Sequence, residues 1–536
     1  MKTIVYGLIQ VVAGCALLVA CSSSTQQTSD TASISSQLFT LEPTPARSTL
    51  QKTATGYLAT VLADPATEEF TWIRINPAII SNETQTLAIT LPNGKTAAFK
   101  LRDFNTLAAG VQGWVGYKPS SWKQARARSS PGEIDNDPMY FLSIAREGNS
   151  LVGNLVVEGQ RYRIESVGAG QYALVKVDES KLPPEGEPLT DPEGSGLAKT
   201  TSTQPASTHS TIRVLIVSTN QSRARYPDYR LRVAQALQDA NQYLINSRVA
   251  ITYELAGFYD ANYNETSDSN GQLTDLRSDQ TELGKAVYVQ RDALNADLVT
   301  MLSTFSEVCG RAYLNANKAL GYSVFSCIGG TLAHELGHNL GVHHGWNPGD
   351  PVRNPPYMHG YRDTTAPAFH TIMVTSHGAV PYFSNPARLY QERPMGTTEH
   401  HDAARRFNER RETVESFYPP LPILSTVVTV YDNVDMSGEH CTFEVPSTQA
   451  VVLIENVCPR GWKHKIWSAR VQGINPKTNL RLGNEMAWHM YHSDFYAGDF
   501  DIPTLTRARL ELPDGMTMEP QNGNLTKRVD RVTILR

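Results

Sequence analysis

The feature that most constrains this chain is one run, His334-Glu335-Leu336-Gly337-His338-Asn339-Leu340-Gly341-Val342-His343-His344. His334 and His338 stand four apart, so a helix over Thr331–Val342 would carry both imidazoles on one face. Gly341 permits the left-handed turn that stops a helix, after which the chain can bring His344 back toward the same point. Neutral imidazoles are good zinc ligands, and a catalytic zinc takes three protein ligands and keeps one position open. Glu335, beside His334, can reach water in that position. His343 is an alternative third ligand, one residue short in spacing. The other reading is a buried helix whose histidines are satisfied by the core. With 14 His in 536 residues, a bare HExxH arises by chance in about one such chain in fifty, and the full five-position pattern in roughly a few per hundred thousand. The metal reading is therefore preferred, with Leu336, Leu340 and Val342 as packing residues.

The same run resembles the signature of the metzincin zinc peptidases. Thr371-Ile372-Met373-Val374, about 30 residues after His344, resembles the family's tight turn, in which a methionine packs beneath the ligands without binding metal. Met373 takes that place here. Pro381-Tyr382-Phe383-Ser384-Asn385-Pro386 resembles the segment that borders the pocket for the first side chain after the scissile bond. Thr375 stands where astacin- and serralysin-like members carry tyrosine, and Gly345 after the third histidine matches no named branch. The nearest likeness is the reprolysin (adamalysin)-like group, supported by a strand at Ala296–Leu302, the Cys309–Leu314 segment and Cys327 before the helix. The resemblance covers about residues 211–418. It implies a zinc endopeptidase acting on protein or peptide substrates, with one catalytic Zn2+ on His334, His338 and His344. Glu335 would take a proton from the attacking water and deliver it to the departing amine. His359, His370 and His377 also lie nearby and are expected mostly at the surface or behind the ligands.

The N-terminus reads as an export signal over residues 1–20: Lys2, an apolar run Ile4–Ala20, then polar Cys21-Ser22-Ser23-Ser24. Leu18-Val19-Ala20-Cys21 resembles the lipobox of bacterial lipoproteins, which implies a lipid on Cys21 and a membrane-anchored, outer-membrane or surface protein. Val12-Ala13-Gly14-Cys15 matches nearly as well but would leave an apolar stub; an ordinary secretory signal is the alternative. With Cys21 lipidated, Cys309, Cys327, Cys441 and Cys458 remain, and four cysteines allow three connectivities. The local pairs Cys309–Cys327 and Cys441–Cys458 are expected, each within one predicted domain.

A net charge of −5 argues against a nucleic-acid grip, since phosphate binding needs a concentrated basic surface. Beyond the N-terminus no apolar run is long enough to cross a bilayer, and a monomer is expected. Residues 21–50 read as a Ser/Thr/Gln-rich flexible tether and 51–180 as a β-rich domain, with an Asn93-Gly94 hairpin. The latter sits where this peptidase group carries a propeptide; a stable accessory domain is the alternative. It lacks cysteine, so a thiolate cannot hold the enzyme latent, and a carboxylate or steric cover would have to. Residues 181–210 read as an exposed linker, 211–418 as an α/β domain with a mostly parallel sheet. Residues 421–536 form an all-β unit with a duplicated Tyr-x6-Gly, Tyr431–Gly438 and Tyr491–Gly498. The duplication resembles the two Greek keys of a βγ-crystallin domain, whose calcium positions would fall on Lys463-His464; lysine offers no oxygen, which argues against calcium. The competing class is a surface-anchored binding protein working through this unit with a vestigial peptidase, against which the intact His334, Glu335, His338 and His344 speak.

Overall fold

The computed structural model describes residues 36–419, apart from 109, 127–129, 169 and 191–206, and beyond 419 mainly strands. The export signal, Cys21, Gly498 and the Lys463-His464 pair lie outside the described residues. Among those described, no helix is long and apolar enough to cross a membrane.

The N-terminal region is a ten-stranded sheet. Antiparallel strands run from Thr86–Thr90 through Thr96–Ala108, Val111–Pro119, Asn136–Glu147, Ser150–Val157, Gln160–Ser166 and Tyr172–Val177 to Thr67–Ile75. The chain Ser36–Leu41 touches both ends of this array. Ser36–Gln37 pairs in parallel with Leu87–Ala88, and Phe39–Leu41 pairs antiparallel with Ile73–Ile75. Both edges are thereby covered, which removes the free donors and acceptors of an open sheet. The tether expected over 21–50 is thus wrong from Ser36 onward. The Ser/Thr/Gln content hides Leu38 and Phe39, which are almost wholly buried in the sheet's core.

Ser210–Ser218, apolar from Val214 to Val217, is a strand of a five-stranded sheet, buried at every position but Thr211. Ile251–Asp260 and Leu298–Leu302 flank it in parallel, Tyr322–Phe325 continues in parallel, and Gly310–Ala312 closes the edge antiparallel. Parallel strands need crossovers, and the helices Tyr229–Asn246 and Glu282–Ala293 supply them. The antiparallel strand matters for function, because it leaves one backbone edge beside the helix Gly330–Asn339.

The helix Tyr229–Asn246 joins the two regions. Its apolar side lies in the peptidase core with Ile212, Val214 and Leu332, and Val115 and Phe141 of the N-terminal sheet enter that same core. Its polar side is equally buried. Arg232 pairs with Glu165, Gln238 Nε2 donates to Ser143 Oγ at 2.8 Å, and Asn154 Nδ2 donates to Asp239 Oδ2 at 3.0 Å. Each partner satisfies a group whose unmatched burial would cost about 1–3 kcal/mol. Burial pushes the Asp239 carboxyl up to about 6, against the hydrogen bonds from Ser143 and Asn154. Its folded-state affinity for protons therefore exceeds that of the exposed group, so this carboxyl should weaken the fold as pH rises from about 4 to about 6. Urea unfolding across that window should show the slope, and Asp239→Asn should flatten it.

Residues 182–190 depart from the expected exposed linker. Pro183–Leu189 runs along Gly310–Ala312: Cys309 N donates to Pro184 O at 2.8 Å, Gly186 N to Gly310 O at 3.2 Å, and Leu189 N to Ala312 O at 2.8 Å. Leu189 and Tyr313 form a parallel bridge. Prolines exclude helix but suit an extended strap, and the strap partners an otherwise free edge. A Cβ on Gly186 would stand 2.4 Å from Gly310 O, so only glycine fits this approach.

Beyond Pro419 the described strands form a four-stranded and a six-stranded antiparallel sheet. The structure contains the two disulfides Cys309–Cys327 and Cys441–Cys458.

Candidate metal centre and cleft

The helix Gly330–Asn339 is buried along its length after Gly330, and His334 and His338 project from one face of it. It ends before the expected Val342: Gly341, at φ +85°, turns the chain, with Gly341 N donating to His338 O at 2.8 Å and Val342 N to Gly337 O at 3.0 Å. That turn delivers His344. His344 Nε2 lies 3.2 Å from His338 Nε2 and 3.1 Å from His334 Nε2. Tetrahedral coordination at a zinc–nitrogen distance of about 2.05 Å sets ligand atoms about 3.3 Å apart, so the triad fits the ion closely. Burial holds His334 and His338 well below the usual imidazole range, so both are neutral and offer lone pairs.

The second nitrogen of two ligands is fixed. His338 Nδ1 donates to Val342 O at 2.7 Å, and His344 Nδ1 lies 3.3 Å from Glu187 Oε1. These contacts leave each Nε2 unprotonated toward the centre. The bond to His344 holds the Glu187 carboxyl down at about 2. His343, the alternative ligand, points elsewhere: its Nδ1 accepts from His344 N at 2.8 Å.

Met373, at φ +79° and wholly buried, lies beneath the helix. A Cβ on Gly337 would stand 2.7 Å from Met373 Sδ, so the glycine makes room for the methionine. His359 and His370 are buried rather than at the surface. His359 Nδ1 donates to His344 O at 2.7 Å, bracing the ligand loop, while His370 Nε2 donates to His377 O at 3.0 Å. His377 Nε2 donates to Pro183 O at 2.7 Å and so touches the strap.

Glu335 is fully buried, and neither carboxylate oxygen has a hydrogen-bond partner. Burial, then the neighbouring Glu185 carboxylate, raise it well above the usual carboxyl range. A buried carboxyl group without a partner beside three converging imidazoles is a donor set that fits a cation and a polar reactant. Glu185, His334 and Glu335 form a second group whose ligand atoms lie within 4.8 Å of one another. A cavity of about 370 Å³ opens beside His334, walled by Thr331, Val374 and His377 and, from the N-terminal region, by Arg161 and Lys181.

Sequence reasoning missed Glu185 and Glu187. The available signal was their spacing of two between prolines, which puts both side chains on one face of an extended segment.

A strand edge over a buried HExxH helix with three converging imidazoles defines a metal-dependent peptidase site. Residues 231–345 match the reprolysin-like model of metallo-peptidase family M12B, so the chain carries a reprolysin-like metallopeptidase domain within a multi-sheet, β-rich protein and is an enzyme of the metalloendopeptidase class. It is 28% identical over 381 residues to a peptidyl-Asp metalloendopeptidase of Stenotrophomonas maltophilia strain K279a, covering 67% of this chain and 89% of that one. A peptidyl-Asp metalloendopeptidase of strain R551-3 is 29% identical over 382 residues, with the same coverage. One from Xanthomonas campestris pv. campestris is 28% identical over 386 residues, covering 68% and 89%. These alignments are longer than residues 211–418, so the likeness extends into flanking sequence.

Proposed function

We propose that the chain is an exported zinc endopeptidase that cuts proteins beside acidic residues. The observation that carries the metal reading is the convergence of three Nε2 atoms beside the unpartnered Glu335 carboxylate. Three imidazoles suit zinc among the available divalent ions, and three ligands leave a position for reactants. When bound, the ion supplies Lewis acidity toward the scissile carbonyl and toward water. Glu335 accepts the proton of the attacking water and later passes it to the departing amine. The Gly310–Ala312 edge would hold an extended substrate by backbone hydrogen bonds, the usual mode for a peptide added to a sheet.

Preference for acidic residues is supported by the activity for which the relatives are named and by the strap itself. An acidic segment, Pro184-Glu185-Gly186-Glu187, lies in this cleft, with Arg311 NH1 donating to Glu187 O at 2.6 Å. Export and a lipid on Cys21 belong to the same proposal, on the strength of the N-terminal sequence. The C-terminal sheets are proposed as a crystallin-like module that contacts substrate or surface.

The test is to incubate the full chain, intact and after limited proteolysis, with an unfolded protein and read every new terminus by mass spectrometry. New termini concentrated at Asp or Glu, and suppressed by a zinc chelator, are expected. Cleavage that ignores the chelator would overturn the metal mechanism, and termini scattered over all residue types would overturn the acidic preference.

A further inference from the structure

We infer that Arg311, on the edge strand Gly310–Ala312, reads the acidic side chain of the substrate: its guanidinium is the donor on which that carboxylate docks. This rests on the acidic preference proposed above and names the residue that confers it.

A cleft that prefers an acid over its isosteric amide needs a fixed cation beside the substrate chain. Most cations around this cleft are already spent on carboxylates. Arg232 is held by Glu165 and Asp228, and Arg161 Nε lies 3.0 Å from Glu179 Oε1. Arg311 differs, because among the described residues its hydrogen bonds go to neutral oxygens. Nε donates to Ser269 Oγ at 3.0 Å, and Nη1 donates to the backbone carbonyl of Glu187 at 2.6 Å.

The strap shows where a substrate side chain would meet this group. A Cβ on Gly186 would stand 3.3 Å from Arg311 Cζ and 3.3 Å from Nη2. The guanidinium therefore fills the space beside the strap that a side chain would enter. A substrate laid along the same edge brings side chains to a place where the strap has glycine. A carboxylate arriving there finds Nη1 and Nη2 side by side, the fork that matches its two oxygens. Docking breaks no covalent bond; the carboxylate replaces the neutral carbonyl of Glu187 as acceptor.

The fork is also held in position. Ser269 is buried at the start of the helix Ser269–Arg277, and its N donates to Glu307 Oε1 at 2.6 Å. Tying Nε to that fixed hydroxyl leaves Nη1 and Nη2 turned to the strap instead of to solvent. Gly310, the preceding residue, packs against Glu335, so Arg311 stands one step along the strand from the proposed proton acceptor.

The experiment uses the full chain after limited proteolysis and two peptides that differ only by Asp or Asn beside the cleaved bond. The readout is the Asp-to-Asn ratio of kcat/KM. Wild type is expected to favour Asp, and Arg311→Met to lower the ratio at least about tenfold, as loss of hydrogen bonds to a charged group implies. Both peptides are read on one preparation, so the ratio is independent of how much of the variant is folded. Should Arg311→Met cleave neither peptide, Arg311→Lys decides: one ammonium does not reproduce the fork, and its ratio should fall below wild type. Arg353, exposed on the loop after His344, is the competing cation, and Arg353→Met is expected to keep the wild-type ratio. An unchanged ratio in the active Arg311 variant, or a fall in Arg353→Met alone, would overturn the assignment and leave the acidic preference standing. Equal cleavage of both peptides by wild type would overturn the acidic preference itself.

Discussion

Replacing Glu335 by glutamine is expected to lower kcat by about 10²–10⁴-fold while one equivalent of metal stays bound. The side chain is isosteric, and its position beneath the edge strand is tightly defined: a Cβ on Gly310 would stand 2.4 Å from Glu335 Oε1. Glutamine should therefore keep the packing and lose only the ability to take a proton. The three imidazoles approach one another without help from Glu335, so metal content should match wild type within error. Metal analysis beside steady-state kinetics on the strap-cleaved protein checks both halves. Full activity in Glu335→Gln would show that another group moves the proton, and loss of metal would show that Glu335 helps to hold the ion.

Arg232→Ala is expected to destabilise the protein by about 3–5 kcal/mol, the cost of leaving a buried carboxylate without its partner. Arg232 pairs with Glu165 across the two regions and with Asp228 Oδ1 at 2.6 Å on its own helix, and its guanidinium stacks 4.3 Å from the Tyr57 ring centroid. Burial by itself would raise Glu165, and the Coulombic pull of Arg232 and then Arg163 outweighs it, holding the carboxyl below its usual range. With Arg232 gone, Arg163 Nε at 3.2 Å is the remaining close cation. Denaturant unfolding measures the loss, and Arg232→Met combined with Glu165→Gln should recover part of it because the stranded charge is removed. A change under 1 kcal/mol for Arg232→Ala would mean that water reaches Glu165.

The parts legible in the sequence were those whose chemistry is local. The spacing of His334, His338 and His344 encodes a helix, a stop and a return, and Gly341 alone decides where the stop falls. The hairpin around Asn93-Gly94 and the buried strand at Ile212–Val217 follow from turn chemistry and from the apolar residues Val214–Val217. What escaped was long-range. The helix Ser269–Arg277 carries only Leu273 and Leu276 as apolar anchors, and its Asn270-Gly271 has the composition of a turn; Asp268 caps it by accepting from Gly271 N. Leu38 and Phe39 belong to a sheet whose other strands lie far along the chain. Glu185 and Glu187 have polar, proline-broken surroundings that suit a linker, and only the distant edge strand gives them a role.

The shared core has a kinetic consequence. Severing the chain between Thr190 and Ser207 changes connectivity but removes none of the buried contacts of Tyr229–Asn246, so a nicked molecule begins as a complex. Before the cut, the strap is held at the cleft at an effective concentration set by its tether; afterwards it can leave only as fast as the sheet lets go of the helix. Were departure of the strap what opens the cleft, the interval between the two events would act as a delay timer. Its length is written in the buried pairs Arg232–Glu165 and Asp239–Asn154 rather than in the cleavage site, so the same nick could produce an enzyme that wakes quickly or slowly according to those pairs.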